Sequence, residues 1–347
     1  MNLESHQSES PPHAVAAQAH AAVPEFWPRK YDLFGVGVSA TTYAEATAAI
    51  LHAAEERASA AVSAHAVHAL MTFAGSPAMR AKANSFEMIT PDGQPVRWAL
   101  NLLHGAKLKQ RVYGPHLTLH VCHAAAERGV PIFLYGGAND EVLQKLIAAL
   151  TERFPRLKIA GAVSPPFRPL TADEAETLVQ TIQASGAGIV FIGLGCPKQD
   201  EFAVAFRERL AAVLICVGAA FDFHAGIKPQ APRWMQGWGL EWLYRLGQEP
   251  HRLWKRYLVT NSTYLAKLAR SLARKWLMPW RPPTQFARQR IVAEPVQPEQ
   301  KRAPPRESSL SETVVMHAEE TVRTNAAEAR PHAEEAGLNA RPRNAIP

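Results

Sequence analysis

Between residues 31 and 226, short apolar runs alternate with longer stretches of mixed polarity. The runs are YDLFGVGV at 31–38, AVSAHAVHAL at 61–70, FEMI at 86–89, PIFLYGG at 131–137, LKIAGAV at 157–163, IVFI at 189–192 and AAVLICVG at 211–218. Apolar runs this short, bounded by Gly and Pro, have the pattern of buried strands. The stretches between them carry helical periods. They predict helices at 43–57, at 77–83, after Gly93 through Leu100, from about Thr118, at 141–153 and at 171–184. In the last of these Thr171 is the N-cap and Glu174 completes a capping box. Strands alternating with helices predict an α/β fold: a Rossmann-like, mostly parallel sheet with helices on both faces.

The pattern breaks at both ends of this region, which divides the chain into four parts. Residues 1–28 are rich in Ala, His, Ser, Gln and Pro without an apolar period, and read as disordered. The α/β core follows at 29–230. Residues 231–281 form a different text, with six tryptophans and tyrosines crowded among arginines and lysines between Trp234 and Tyr257. There Leu253, Tyr257, Tyr264, Leu268 and Leu272 approximate helical spacing, so this part reads as a C-terminal basic aromatic helical appendage. Residues 282–347 turn to Pro, Glu, Ala and Arg without period, and read as a disordered tail.

Charge sharpens that division. The net charge is +7, but residues 233–281 hold ten Lys/Arg against two acids, Glu241 and Glu249, while the tail after 284 balances nine against nine. A basic block with interleaved aromatics suits an anionic partner: a membrane surface, a phosphate or nucleic acid. The plain alternative is a helix that packs its aromatic face on the core with arginines outward. An apolar run of about 18 residues is absent, so a simple spanning helix is not expected. The start of the chain has no charged segment leading into an apolar one, so a signal peptide is not expected either. Three widely spaced cysteines, Cys122, Cys196 and Cys216, fit a reducing cytosol.

Candidate chemistry gathers where strands end, the place an open α/β sheet offers a ligand. Thr90-Pro91-Asp92-Gly93 is a sharp turn between strand and helix. Asp92 there can be a general base, a substrate acceptor, or simply the N-cap of the next helix. Ser63 and His65 alternate onto one face of their strand. Arg111 can clamp a phosphate or be an ordinary surface charge. Gly136-Gly137 closes a strand with a nucleotide-approach turn, weaker than a full GxGxxG. Gly193, Gly195 and Pro197 lead into Lys198, Gln199 and Asp200 at a helix start, a candidate anion loop. Asp222 and His224 sit in a turn after the last buried strand.

Taken in order, TPDG at 90–93, RVYG at 111–114, FLYGG at 133–137, GLGCPKQDE at 193–201, VGAAFDFHAG at 217–226 and APRWMQGWGLEWLYRLGQEPHRLWKRYL at 231–258 resemble the WecG/TagA/CpsF family of bacterial glycosyltransferases, glycosyltransferase family 26. The resemblance covers roughly residues 31–264. It implies an inverting transfer of an N-acetylhexosamine-type sugar, without a metal or other cofactor, from a UDP-sugar to a polyprenyl-diphosphate-linked sugar, in cell-surface or exopolysaccharide synthesis. It implies a peripheral enzyme on the cytoplasmic face of the inner membrane, with no nucleic-acid partner and with self-association left open. By the same resemblance Asp92 is the general base. Arg111, Gln199 and Asp222 line the nucleotide-sugar pocket, joined by Gly136 and Gly137. Arg245, Arg252 and Arg256 hold the lipid diphosphate. Those three arginines lie along one helix, or on two that the Glu249-Pro250 break separates. Two positions depart from the family: Ser63-Ala64-His65 replaces Thr-x-Asn, which puts both side chains among the catalytic candidates, and Asp200 replaces Glu. Two rivals remain on the pattern alone. A nucleotide-binding oxidoreductase needs the GxGxxG that the first strand lacks, and a non-enzymatic basic membrane binder leaves the polar strand ends unexplained.

Overall fold

The computed structural model of the protein describes residues 26–277 apart from Phe167, and no side chain for Arg252. The expected disordered tail at 282–347 and residues 1–25 of the expected N-terminal segment lie outside the described residues. Six strands form one parallel sheet: β3 (Ala60–His65), β4 (Met88–Pro91), β5 (Ile132–Gly136), β6 (Ile159–Val163), β7 (Ile189–Gly193) and β8 (Val213–Cys216). Their order is β4-β3-β8-β7-β5-β6, with every neighbouring pair parallel. The Rossmann-like sheet read from the sequence is therefore the observed one.

Alternation along each strand explains why the sheet is covered on both sides. Phe133 and Tyr135 of β5 join one apolar cluster with Val190, Ile192, Leu214 and Cys216. Ile132 and Leu134 join the other, with Ile189, Phe191, Val213 and Ile215. The first cluster is completed by α2 (Val67–Phe73), α4 (Gln94–His104), α7 (Ala172–Ala184) and α8 (Lys198–Phe206). The second is completed by α1 (Tyr43–Glu55), α5 (Gly114–Arg128) and α6 (Asp140–Arg153). Burying one such Leu, Ile or Phe contributes roughly 1.5–3 kcal/mol, so the sheet is a rigid frame from which the strand ends project. Between β3 and β4, α3 (Pro77–Asn84) follows α2, with Ser76 capping its first turn.

Four local expectations are corrected. The single strand at 31–38 is a hairpin, β1 (Lys30–Leu33) and β2 (Val36–Ser39), paired antiparallel outside the main sheet. Phe34 and Gly35 turn it at φ 62° and 92°, and the Gly35 N–H donates to Asp32 Oδ1 at 2.6 Å. The apolar run at 61–70 breaks after His65 into strand and helix. The helix expected from about Thr118 starts at Gly114, because Pro115 in a first helical turn forfeits no hydrogen bond. Asp222 and His224 lie in a short helix, α9 (Ala220–His224), rather than a turn.

Beyond α9 the chain forms α10 (Arg233–Gly237), α11 (Glu241–Gln248) and α12 (Pro250–Leu277). The long α12 lies on α2 and α4. Its Leu253 and Tyr264 are buried, and the Tyr264 hydroxyl donates to Pro95 O at 2.6 Å. Lys275 Nζ donates to Leu102 O at 2.8 Å and Leu103 O at 2.9 Å. The tryptophans do not turn inward as the packing alternative supposed: Trp234, Trp238 and Trp254 are 63%, 75% and 54% exposed. Among the described residues no helix is long and apolar enough to cross a membrane.

Candidate functional site

Two groups of side chains meet at the carboxyl ends of β3 and β4, which are paired so that His65 stands beside Pro91. The first group is fully buried. Period-2 alternation on β3 turns Ser63 and His65 to the same side, where Asp200 enters from the first turn of α8. The Ser63 hydroxyl donates to Asp200 Oδ1 at 2.6 Å, and His65 Nε2 lies 3.2 Å from the same oxygen. The His65 ring stacks on Phe73 at 5.1 Å. His65 Nδ1 and Asp200 Oδ2 are buried and meet no hydrogen-bond partner among the described residues. Beside Asp200, Gln199 Oε1 accepts the Gly218 N–H at 2.9 Å, and its carbonyl accepts the Cys216 thiol at 3.3 Å. Gln199 thereby braces the loop between β8 and α9.

The second group centres on Asp92. The cap reading of this residue fails: Gly93 is the N-cap of α4, with no side-chain cap bond. Asp92 instead accepts the Gly114 N–H through Oδ1 at 2.6 Å, and its own N–H donates to His65 O at 3.2 Å. A side chain at 114 would crowd Ala64 Cβ and Val217 O at 3.3 Å, so glycine lets that N–H come close. Burial pushes the Asp92 carboxyl up to about 6, against the pull of Arg111 and the Gly114 N–H; Glu241 adds to the rise and Arg245 opposes it. Such a group is charged at neutral pH yet basic enough to take a proton.

Arg111, buried beside it, is held by the appendage. Its guanidinium pairs with Glu241 of α11, lies 3.4 Å from Gln236 Oε1 of α10, and covers the Tyr113 ring at 4.2 Å. Burial works against the Arg111 charge, but the bond to Glu241 outweighs it and the pKa ends up raised. The Tyr113 N–H donates to Tyr43 Oη at 3.0 Å, and burial drives the Tyr43 phenol up to about 12.

The remaining candidates are spread more widely. Gly136 and Gly137 take φ of 144° and 91° at the end of β5, three positions from β3 in the sheet, roughly 14 Å at the usual spacing. A Cβ on Gly136 would fall 2.8 Å from the Gly193 backbone, and one on Gly193 would fall 2.7 Å from the Phe221 ring. Close packing of β5, β7 and α9 demands these glycines, whatever else they do. Asp222 is paired with Lys228 at 2.7 Å. Arg245 of α11 lies over the Phe223 ring at 5.3 Å, and its charge reaches Asp92. Arg256 of α12 is exposed and its charge reaches His68 on α2. The arginines thus come from two helices, the break falling at Glu249-Pro250.

The structure therefore joins Asp92, Arg111 and Arg245, places Ser63, His65 and Gln199 directly behind them, and leaves Gly136, Gly137 and Asp222 along the neighbouring strand ends. Sequence reasoning missed Glu241, Tyr113 and Tyr43. For Glu241 a signal existed: it is one of two acids in a block of ten cations. Among the described residues no three His, Cys, Asp or Glu side chains are arranged to hold a metal ion.

Comparison with known proteins reaches the same region. The family model described as "Glycosyl transferase WecG/TagA/CpsF family" matches residues 31–277, from β1 to the end of α12. The chain is also 30% identical over 197 residues to N-acetylglucosaminyldiphosphoundecaprenol N-acetyl-beta-D-mannosaminyltransferase of Bacillus subtilis (strain 168), covering 56% of this chain and 74% of that protein.

Proposed function

Because this chain belongs to the WecG/TagA/CpsF family of glycosyltransferases, we propose that it moves an N-acetylhexosamine-type sugar from a UDP-sugar onto a polyprenyl-diphosphate-linked N-acetylglucosamine, in cell-envelope polysaccharide synthesis. The similar Bacillus enzyme carries such an acceptor and an N-acetylmannosaminyl donor group in its name. The oxidoreductase and non-enzymatic alternatives fall with the family membership.

One observation carries the mechanism: Asp92 is anchored through Oδ1 to the Gly114 N–H, and among the described residues Oδ2 meets no hydrogen-bond partner. An acceptor hydroxyl within hydrogen-bond reach of Oδ2 loses its proton there as its oxygen bonds to the donor's anomeric carbon. The bond from that carbon to the UDP oxygen breaks on the opposite face, so the centre inverts. Negative charge grows on the departing diphosphate, where Arg111 supplies stabilising charge. Ser63 and His65 act behind the base: through Asp200 and the β3–β4 register they fix the turn that carries Asp92. Gln199, Gly136, Gly137 and Asp222 bound the donor side. Arg245, Arg252 and Arg256 meet the acceptor diphosphate at the cytoplasmic face of the inner membrane. There a cation near an anionic surface contributes about 1 kcal/mol, and the exposed tryptophans supply apolar area for shallow insertion.

The test offers the purified protein a panel of UDP-sugars with a short polyprenyl-diphosphate-N-acetylglucosamine, and reads product mass and anomeric configuration. Transfer with inversion from one donor, lost in Asp92→Asn, is expected. Transfer with retention, or full turnover by a folded Asp92→Asn protein, overturns this reading.

A further inference from the structure

Alongside α5 lies a groove that the proposed reaction does not use, separated from Arg111 by the Tyr43 and Tyr113 rings that His116 meets. It encloses about 490 Å³, within the range of small-molecule sites. One wall is a stripe of α5, where His116, Leu119, His120 and His123 recur at helical spacing. Arg153 and Phe154 close it from the end of α6. His224 from α9, Gln230 and Arg233 close it from the segment leading into the appendage.

The lining is one-sided in charge. Among the described residues it holds two arginines and four histidines, and no carboxylate. Neither arginine makes an ion pair with a described residue. Arg153 rests over Phe154 at 5.7 Å, and its charge is felt by His224. The nearest acid on α5, Glu127, is taken by Arg156. Two histidines are already oriented: His224 Nε2 lies 2.8 Å from Pro115 O, and His116 Nδ1 lies 3.5 Å from Tyr43 Oη. Burial, aided by neighbouring cations, holds His116, His120 and His224 below the ordinary imidazole range. The permanent positive charge of the groove rests on the two arginines. Leu119 and Phe154 add apolar surface between these polar groups.

A concave site with two unpaired guanidinium groups, several imidazole nitrogens and no acid has the chemistry of an oxyanion receptor. We propose that this groove is a second anion site, distinct from the Asp92 centre, that binds a phosphate or diphosphate group attached to a ring or chain lying on Leu119 and Phe154. The assignment does not depend on the role of Asp92. The phosphate belongs either to a soluble nucleotide or to a lipid headgroup.

Calorimetry of the full chain with inorganic diphosphate tests it. The parent and an Arg111→Ala protein, in which the Asp92 centre has lost its buried cation, both bind. Arg153→Ala/Arg233→Ala binds about tenfold more weakly or worse, as expected for losing two charge-assisted contacts. Both arginines are exposed, so the double variant keeps its fold, which far-UV circular dichroism checks. The same proteins are then titrated with UDP and with vesicles containing anionic phospholipid. Whichever loses affinity in the double variant identifies the source of the phosphate. Diphosphate binding equal in the parent and the double variant, or lost altogether in Arg111→Ala, overturns the proposal.

Discussion

The sheet and the C-terminal helices handle apolar residues in opposite ways. In the sheet, Phe133, Leu134, Phe191 and Ile215 are sealed between helices on both faces. In α10–α12, Trp234, Trp238, Trp254, Leu258 and Trp276 stay open, while Leu253 and Tyr264 are buried and Leu268 packs against the core. A monomeric surface seldom leaves so much large apolar area uncovered without a use. The polar chemistry is divided in the same way. The sheet contributes a carboxylate whose environment is fixed by neighbouring backbone, while the appendage contributes arginines that stand in solvent. The contrast teaches that one region is sealed to hold a geometry, while the other leaves apolar and cationic side chains open to solvent, as the proposed membrane docking requires. The Arg111–Glu241 pair is one place where the two touch, and the Tyr264 and Lys275 bonds to α4 are another.

The largest effect expected on the sheet side comes from Asp92. Replacing it by Asn lowers turnover about 10²-fold or more, the usual scale for a lost general base, while calorimetry finds UDP affinity unchanged. Since its carboxyl sits near 6 and only the ionised form accepts a proton, kcat/KM of the parent falls as pH drops below about 6. That acidic limb is absent from the residual activity of Asp92→Asn.

On the appendage side, changing Arg245, Arg252 and Arg256 together to Ala cuts activity on lipid-linked acceptor about tenfold or more, from the loss of roughly 1 kcal/mol per cation near an anionic surface. UDP binding is retained. Rising salt weakens vesicle binding of the parent, because exposed charges are screened. A triple variant as active as the parent would collapse the contrast between the two regions.

Gly136→Ala probes the sheet as a frame. The new Cβ meets the Gly193 backbone at 2.8 Å and a φ of 144°, so about 1–3 kcal/mol of stability is lost, read as a lower midpoint in urea. The smallest effect belongs to the joint. Glu241→Gln keeps the shape but removes the charge facing Arg111, and should speed proteolysis within α10–α12 a few-fold, by about 1 kcal/mol of looser docking. Unchanged cleavage rates would show that Leu253 and Tyr264 hold the appendage without the pair.

The sheet was legible because its evidence is local: each strand is a short apolar run, and the helices between carry their own caps, Thr171 with Glu174 among them. The hairpin at Phe34–Gly35 was not, because Phe is an uncommon choice at positive φ. Asp92 stood out as a turn residue, yet removing the cap reading required seeing Gly93 at the N-cap and the carboxylate on the Gly114 N–H, 22 residues away. Ser63 and His65 were placed on one face correctly, but their common partner Asp200 lies 137 and 135 residues on. Glu241 reaches Arg111 across 130 residues. Contacts of that span arise from the packing of whole elements, and no period or spacing encodes them.

The two anchors of α12 on α4 have a geometric outcome. Tyr264 grips the first turn of α4 at Pro95 and Lys275 grips its last turn at Leu102 and Leu103, so the two helices run side by side like splinted rods. The helix α4 begins two residues after Asp92, and Trp254 and Trp276 stand on α12, 22 residues or about 33 Å of helix apart. The pair of rods thereby fixes the distance between the Asp92 turn and the exposed tryptophan edge. In the proposed reaction it works as a depth gauge: a substrate tethered in the plane where that edge rests presents its reactive hydroxyl at a height the protein sets.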